Sequence, residues 1–487
     1  MFNHLSYYRS DCCGVNHSHH YFPPPELDFN ITLFNINVIL SFKQGGLQLR
    51  KTVCPAEFVF EQPQSLAVGS VLYQEHIRLT DKSHIVDFAG FLMPLWYSSI
   101  STEHTAVRQK AGIFDCTHMG VLEIAGADAA DFLDLITTND INSLAAGCAQ
   151  YSYILDAAGN VLDDIIVYRR SADKFMMVVN AANTPKIKAY LEALKNNRIV
   201  IDPDNPGRKL KYKSVIRDMK ISDSKADCRV DIALQGPAAT DIIFSLIENN
   251  RIREEIKNLK PFHFIEADLT VIPAKAGIYG DIDCIISRTG YTGAKIGFEL
   301  FVHPVKAPQL WNILLEKGSP LGLVPCGLGA RDSLRIEAGL PLYGHELAGP
   351  FNISPFEAGY GWAVKLEKEF FIGKTAMQHR VKTYDMKVAQ IELRGEKGIR
   401  PVRQNDGVLN KNGECIGWTL SCANAGEKQV ALVYVNKESA KENDPVGVYY
   451  LARSQIQIQQ GKLQSVRKGQ NLQPCITGTV VNRFAKF

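Results

Sequence analysis

No apolar run in this sequence approaches the roughly 18 residues that a helix needs to cross a bilayer. The best stretch, Ile31 to Phe42, is short and interrupted by Asn35 and Asn37. The first residues carry no basic segment followed by an unbroken apolar one, so no secretory signal is expected. The 11 cysteines are odd in number, run from Cys12 to Cys475 and include no CxxC pair. That is poor material for a disulfide framework or a zinc cage, and it favours a reducing compartment. The net charge is only +3, which gives no electrostatic reason to expect nucleic acid or an anionic membrane. No GxGxxG follows a strand, and GxxxxGK[ST], HExxH and GxSxG are all missing. Gly327-Leu328-Gly329 lacks the third glycine of a dinucleotide turn. Redox, kinase and serine-hydrolase chemistries therefore have little to stand on.

The 487 residues, 46% hydrophobic and 22% charged, suit a globular protein of two to four domains. Residues 1–67 read as a poorly ordered extension broken by Pro23-Pro24-Pro25, with His4, His17, His19 and His20 near Cys12 and Cys13 in no standard metal spacing. From Val71 the pattern becomes regular. Ser101 and Thr102 can cap a helix reaching Ala111, and Asp128 and Pro185 open two more. Val121 to Ile124, Tyr151 to Leu155, Val161 to Tyr168 and Phe175 to Val179 read as strands. Residues 201–229 read as a loop or insertion. From Val388 to Val480 short strands alternate with turns, as in a small β domain. The expected division is residues 1–67, an α+β region over 68–385, and a β-barrel over 386–487.

Two acids, Asp163 and Asp164, sit inside an otherwise apolar strand, so they must point to opposite faces. One is expected to meet solvent or a loop. Asp164 should share its face with Leu162, Ile166 and Tyr168, where a lone carboxylate is costly unless it meets a partner or a ligand. A pair of acids at a hairpin mouth is the plain alternative. Two glycines bracket Tyr291 in Arg288-Thr289-Gly290-Tyr291-Thr292-Gly293, a segment that can turn tightly against a ligand. Glu299 follows in an apolar strand. Arg331 and Arg335 share one face of a helix that Gly339 ends. They could hold an anion, or pair with Asp332 or Glu337 on a solvated face. Asn180 could simply cap a helix, Met119 fill a core and His118 be structural.

Taken together these segments resemble the glycine cleavage T protein family. Asp87-Phe88-Ala89-Gly90, His118-Met119-Gly120, Thr137-Thr138-Asn139-Asp140, Asp163-Asp164-Ile165, Val179-Asn180-Ala181-Ala182-Asn183, Gln235-Gly236-Pro237 and the Arg288 to Gly293 segment carry the resemblance by their order and spacing. It implies an α+β fold, a three-domain cloverleaf with a small C-terminal β-barrel around a folate-binding opening. It implies an aminomethyltransferase that moves methylene from the aminomethyl-lipoyl H protein to tetrahydrofolate, with ammonia released. By the same resemblance Asp164 is the essential acid. Met119, Tyr151, Tyr168, Asn180, Tyr291, Glu299 and Arg331 are the folate-pocket residues, with no metal. Lipoylated H protein is the implied partner of a monomer working in the cytoplasm, or in the mitochondrial matrix of a eukaryote.

The match is not complete. Ala294-Lys295-Ile296 makes the loop before Gly297 one residue longer than is common and could shift Glu299. Residues 271–281 look inserted, and the C-terminus around Arg483 departs from the usual pattern. Two other readings stay open. One is a folate-dependent demethylase of a free small molecule, and the other is a non-catalytic folate-binding protein of the same fold.

Overall fold

The computed structural model describes backbone strands between Phe29 and Lys51, then residues 57–484 except 64, 221–226, 270–280, 395–399 and 426–427. The chain divides at Ala56 into two units. In the first, Phe29–Leu33, Ile36–Lys43 and Gly46–Lys51 form a three-stranded antiparallel sheet. The His4 to His20 cluster with Cys12 and Cys13 lies outside the described residues, as do residues 271–280 of the suspected insertion.

The second unit starts early. Phe58 packs edge-on against Tyr190, their ring centroids 4.8 Å apart. Two sheets of five and six strands then frame the unit's α+β part. The first orders Val215–Asp218, Gly120–Ala125, Lys174–Val179, Val161–Arg169 and Cys148–Leu155, all antiparallel. The second orders Phe264–Leu269, Ile282–Ser287, Gly297–Val302, Val230–Gln235, Ala111–Asp115 and Leu323–Cys326, with only the last pair parallel. Ala111 thus opens a buried strand and does not end the preceding helix, which stops at Gln109. The local caps were compatible with either ending, and burial of all five residues from Ala111 to Asp115 selected the strand. The polar stretch 201–229 is likewise no free loop. It supplies an edge strand, and Ile201 and Leu210 join the first sheet's core.

Period-two alternation gives each sheet two apolar faces. On the outer face of the first sheet, Ile165, Val167 and Met177 meet Phe132, Leu133, Ile187 and Leu191 of the covering helices. On the outer face of the second, Ile232, Leu300 and Ile286 meet Leu310, Trp311 and Leu314 of the helix Ala307–Gly318. Burying each of these large side chains stabilises the fold by roughly 1.5–3 kcal/mol. The inner faces meet each other. Tyr168, Met176 and Val178 from one sheet pack with Phe264, Ile285 and Phe301 from the other.

Six strands from Met386 to Val481 close a barrel. Arg335 ties it to the rest. Its Nη1 donates to Glu346 at 2.5 Å, its Nε to Asp332 at 2.8 Å and its Nη2 to Ser421 of the barrel at 3.0 Å. The expected pairing with Asp332 is present, but the face is buried, with Arg335 1% exposed and Glu346 fully buried. Arg335→Met strands the Glu346 charge in the interior. It should cost about 3–5 kcal/mol of stability, read as a lower denaturant midpoint at unchanged m-value.

Candidate active site

Where the two inner faces part, a cavity of about 420 Å³ opens between them, within the range of small-molecule sites. Seven of the eight expected site residues line it: Asp164, Met119, Tyr151, Asn180, Tyr291, Glu299 and Arg331. Tyr168 does not. It is fully buried behind the wall, where its hydroxyl reaches Glu299 at 3.3 Å. Its neighbours on the inner face, Ile166 and Asp164, reach the cavity and Tyr168 stops short of it.

Both acids of the buried strand are held by hydrogen bonds. Asp164 accepts from the Tyr151 hydroxyl at 2.8 Å and from Asn180 Nδ2 at 2.8 Å. Asp163 accepts from Asn180 Nδ2 at 2.8 Å, the Asn180 backbone N–H at 3.0 Å and Asn183 Nδ2 at 2.5 Å. Of the two expected surroundings, solvent or a loop, Asp163 meets the turn at Asn180 and Asn183 and not solvent. It lies on the helix-covered face, fully buried. A register irregularity between Val161 and Asp163 moves Leu162 into the outer cluster, away from Asp164's face. Asn180 makes no side-chain cap. Its amide instead bridges the two carboxyls. Burial and the nearby Asp164 charge push the Asp163 carboxyl well above the usual carboxylate range. Burial also raises Asp164, opposed by the bonds from Tyr151 and Asn180. Two adjacent buried acids cannot both ionise cheaply, so the pair retains a proton.

Glu299 comes from the facing sheet. Its Oε2 accepts from Thr289 Oγ1 at 2.5 Å and from Tyr168; among the described residues no hydrogen bond reaches Oε1, and Glu299 lines the cavity. The loop that carries Thr289 is pinned by Gln235. Its amide donates to Thr289 O at 3.2 Å and Phe298 O at 3.3 Å, and accepts from Thr292 Oγ1 at 2.7 Å. The glycines of the motif make room for that amide. A Cβ on Gly290 would lie 2.2 Å from Gln235 Oε1, and one on Gly297 2.5 Å from it. The longer Ala294 to Ile296 loop leaves Glu299 in the cavity wall.

Arg331 reaches the cavity from the helix Leu328–Glu337. It donates to Cys116 Sγ at 3.1 Å and lies 5.2 Å over the Tyr291 ring. Among the described residues no carboxylate comes within ion-pair distance of it, so its charge is available to an anion. The Tyr291 hydroxyl donates to Pro341 O at 2.5 Å. Tyr360 and Trp362 complete an aromatic wall with Tyr151, and Trp362 is 54% exposed. His118 takes no part in the cavity. It packs edge-on against Phe88 and Phe91, and burial lowers its imidazole to about 3, so it is neutral.

Sequence reasoning missed Asp231, Gln235, Tyr343, Tyr360 and Trp362. For Asp231 the signal was present. In Val230-Asp231-Ile232-Ala233-Leu234-Gln235 the alternation puts Asp231 and Gln235 on one face. Nothing in the local sequence says which face looks inward.

Residues 72–368 match the model of the GCVT N-terminal domain. The chain is 37% identical over 383 residues to the aminomethyltransferase of Desulfitobacterium hafniense strain Y51, covering 77% of this chain and 92% of that one. It is 41% identical over 294 residues to the aminomethyltransferase of Halalkalibacterium halodurans, covering 60% and 70%. Its fold superposes on glycine cleavage system aminomethyltransferase T from Bartonella henselae with a TM-score of 0.65 at 27% identity, over 86% of this chain and 98% of that one. An α+β body built around one acid-lined cavity and closed by a small barrel, with relatives of this kind, defines an aminomethyltransferase. The chain belongs to the GCVT family.

Proposed function

We propose that the cavity takes tetrahydrofolate and that the enzyme transfers methylene to it from an aminomethyl group on the lipoyl arm of an H protein, releasing ammonia. The observation that carries this is the placement of Asp164 and Glu299. They arise from different sheets, stand 135 positions apart in the chain, and line one cavity. A reduced pterin offers an N–H and an amino group side by side, and the open oxygen of Glu299 with its partner can accept both. Arg331 and the aromatic wall suit the anionic and ring portions of the same molecule.

Tetrahydrofolate supplies the amine nitrogens that take the one-carbon unit. Asp164, fixed by Tyr151 and Asn180, positions the acceptor and stabilises positive charge that develops during transfer. The aromatic wall limits water at the reacting carbon. The compartment that suits this reading is a reducing one, the cytoplasm or a mitochondrial matrix, and the working unit is a monomer that docks its lipoyl partner transiently. Among the described residues no helix is long and apolar enough to cross a membrane.

The decisive assay follows ammonia release from aminomethylated H protein with and without tetrahydrofolate. Release that depends on both is expected. Turnover of dimethylglycine or sarcosine, with none from H protein, would replace this reading with a demethylase. Folate binding without any turnover would leave a folate-binding protein.

A further inference from the structure

One wall oxygen has no partner among the described residues. Asp231 is 2% exposed and lines the cavity, yet its Oδ1 meets no hydrogen-bond donor. It lies on the inner face of its strand, two pairs along from Ala233, which stands opposite Glu299. The groups around it are Glu299, Asp115, the Cys116 thiol and the Arg331 guanidinium, and burial together with the Glu299 charge favours its neutral form. The Cys116 sulfur accepts from Arg331, and its thiol also bonds the Asp231 carboxyl, which leaves Oδ1 as the open atom. An interior carboxyl with an open oxygen is costly to keep unless something outside the chain completes it.

We propose that Asp231 is a specificity-determining residue of the cavity. Protonated beside the Glu299 carboxylate, it donates its O–H to the carbonyl oxygen of a 2-amino-4-oxo pyrimidine edge, while Glu299 accepts from the ring N–H and the amino group next to it. This rests on the folate reading above and deepens it. The edge presents two donors and then an acceptor in a row. One carboxylate and one carboxylic acid side by side present the complementary order. Two carboxylates would repel both each other and the carbonyl.

The test is calorimetric titration of 5-formyltetrahydrofolate into wild type, Asp231→Val and Asp231→Asn, with the melting temperature of each unliganded protein. Asp231→Val is expected to weaken binding ten- to hundredfold while melting no lower than wild type, because it removes an unsatisfied interior acid. Asp231→Asn keeps a donor and is expected to recover most of the lost affinity. Wild-type binding by Asp231→Val overturns the proposal, and so does Asp231→Asn binding as weakly as the valine variant. Should the valine variant not fold, a tenfold or greater loss in Asp231→Asn relative to wild type overturns the donor role on its own. A wild type that does not bind the folate overturns the reading of the cavity itself, a result distinct from equal binding by wild type and variant.

Discussion

Asp164→Asn should lower turnover about 10²–10³-fold, with folate affinity kept within about tenfold, because it removes a charge that acts on the transition state and retains the shape of the side chain. The asparagine can still meet Tyr151 and Asn180, so the wall should hold its form. The measurement is kcat in the ammonia-release assay beside a folate titration, and equal turnover in variant and wild type would remove Asp164 from the mechanism. The same substitution has a second, independent readout. The Asp163 carboxyl is raised by burial and by the Asp164 charge, so the folded protein keeps a proton that the unfolded chain releases near pH 4. Folded pKa above unfolded pKa means that this group's contribution to stability declines as pH rises from about 4 toward the raised value. Asp164→Asn removes one source of that shift. Between pH 5 and pH 8 the wild type should therefore lose more melting temperature than the variant does. Parallel curves would mean that the two acids do not interact.

Glu299→Gln should act on affinity more than on rate. The amide replaces one acceptor oxygen by an N–H that faces the donors of Thr289 and Tyr168 on one side or those of the pterin on the other. Loss of a charged hydrogen-bond pair is worth about 1.5–3 kcal/mol, which corresponds to a rise of roughly 10- to 150-fold in the folate Kd. KM for tetrahydrofolate should rise in step while kcat changes little. A normal Kd would show that the pterin edge is held elsewhere. The two variants are thus expected to split, Asp164 on kcat and Glu299 on KM. That split separates a charge acting during transfer from one that only grips.

The acid strand, the glycine-bracketed tyrosine and the Arg331 helix were all legible in the sequence because each is a local pattern: acids in an apolar strand, glycines at a turn, arginines one helical turn apart. The faces were not legible. Asp163 was expected to be a candidate for solvent, yet it is fully buried under the helix Thr184–Lys195. Alternation separates two neighbours but does not say that both resulting faces are covered. Tyr168 was expected at the ligand and stands behind Glu299. The strand Ala111–Asp115 was hidden because five residues with a glycine carry little intrinsic preference.

By itself the sequence determined the kind of protein this is: an α+β chain with a small C-terminal β domain and a set of polar residues that its apolar strands could not keep without use. Only the tertiary structure decided which of those residues meet. Asp164, Asp231 and Glu299 are brought to one cavity by the packing of two inner sheet faces. That packing is a long-range outcome of covering each sheet's other face with helices, and no local pattern encodes it. Whether a buried carboxyl is gripped like Asp163 or left open like Asp231 depends on what crosses from the neighbouring element, and chain order alone does not contain that.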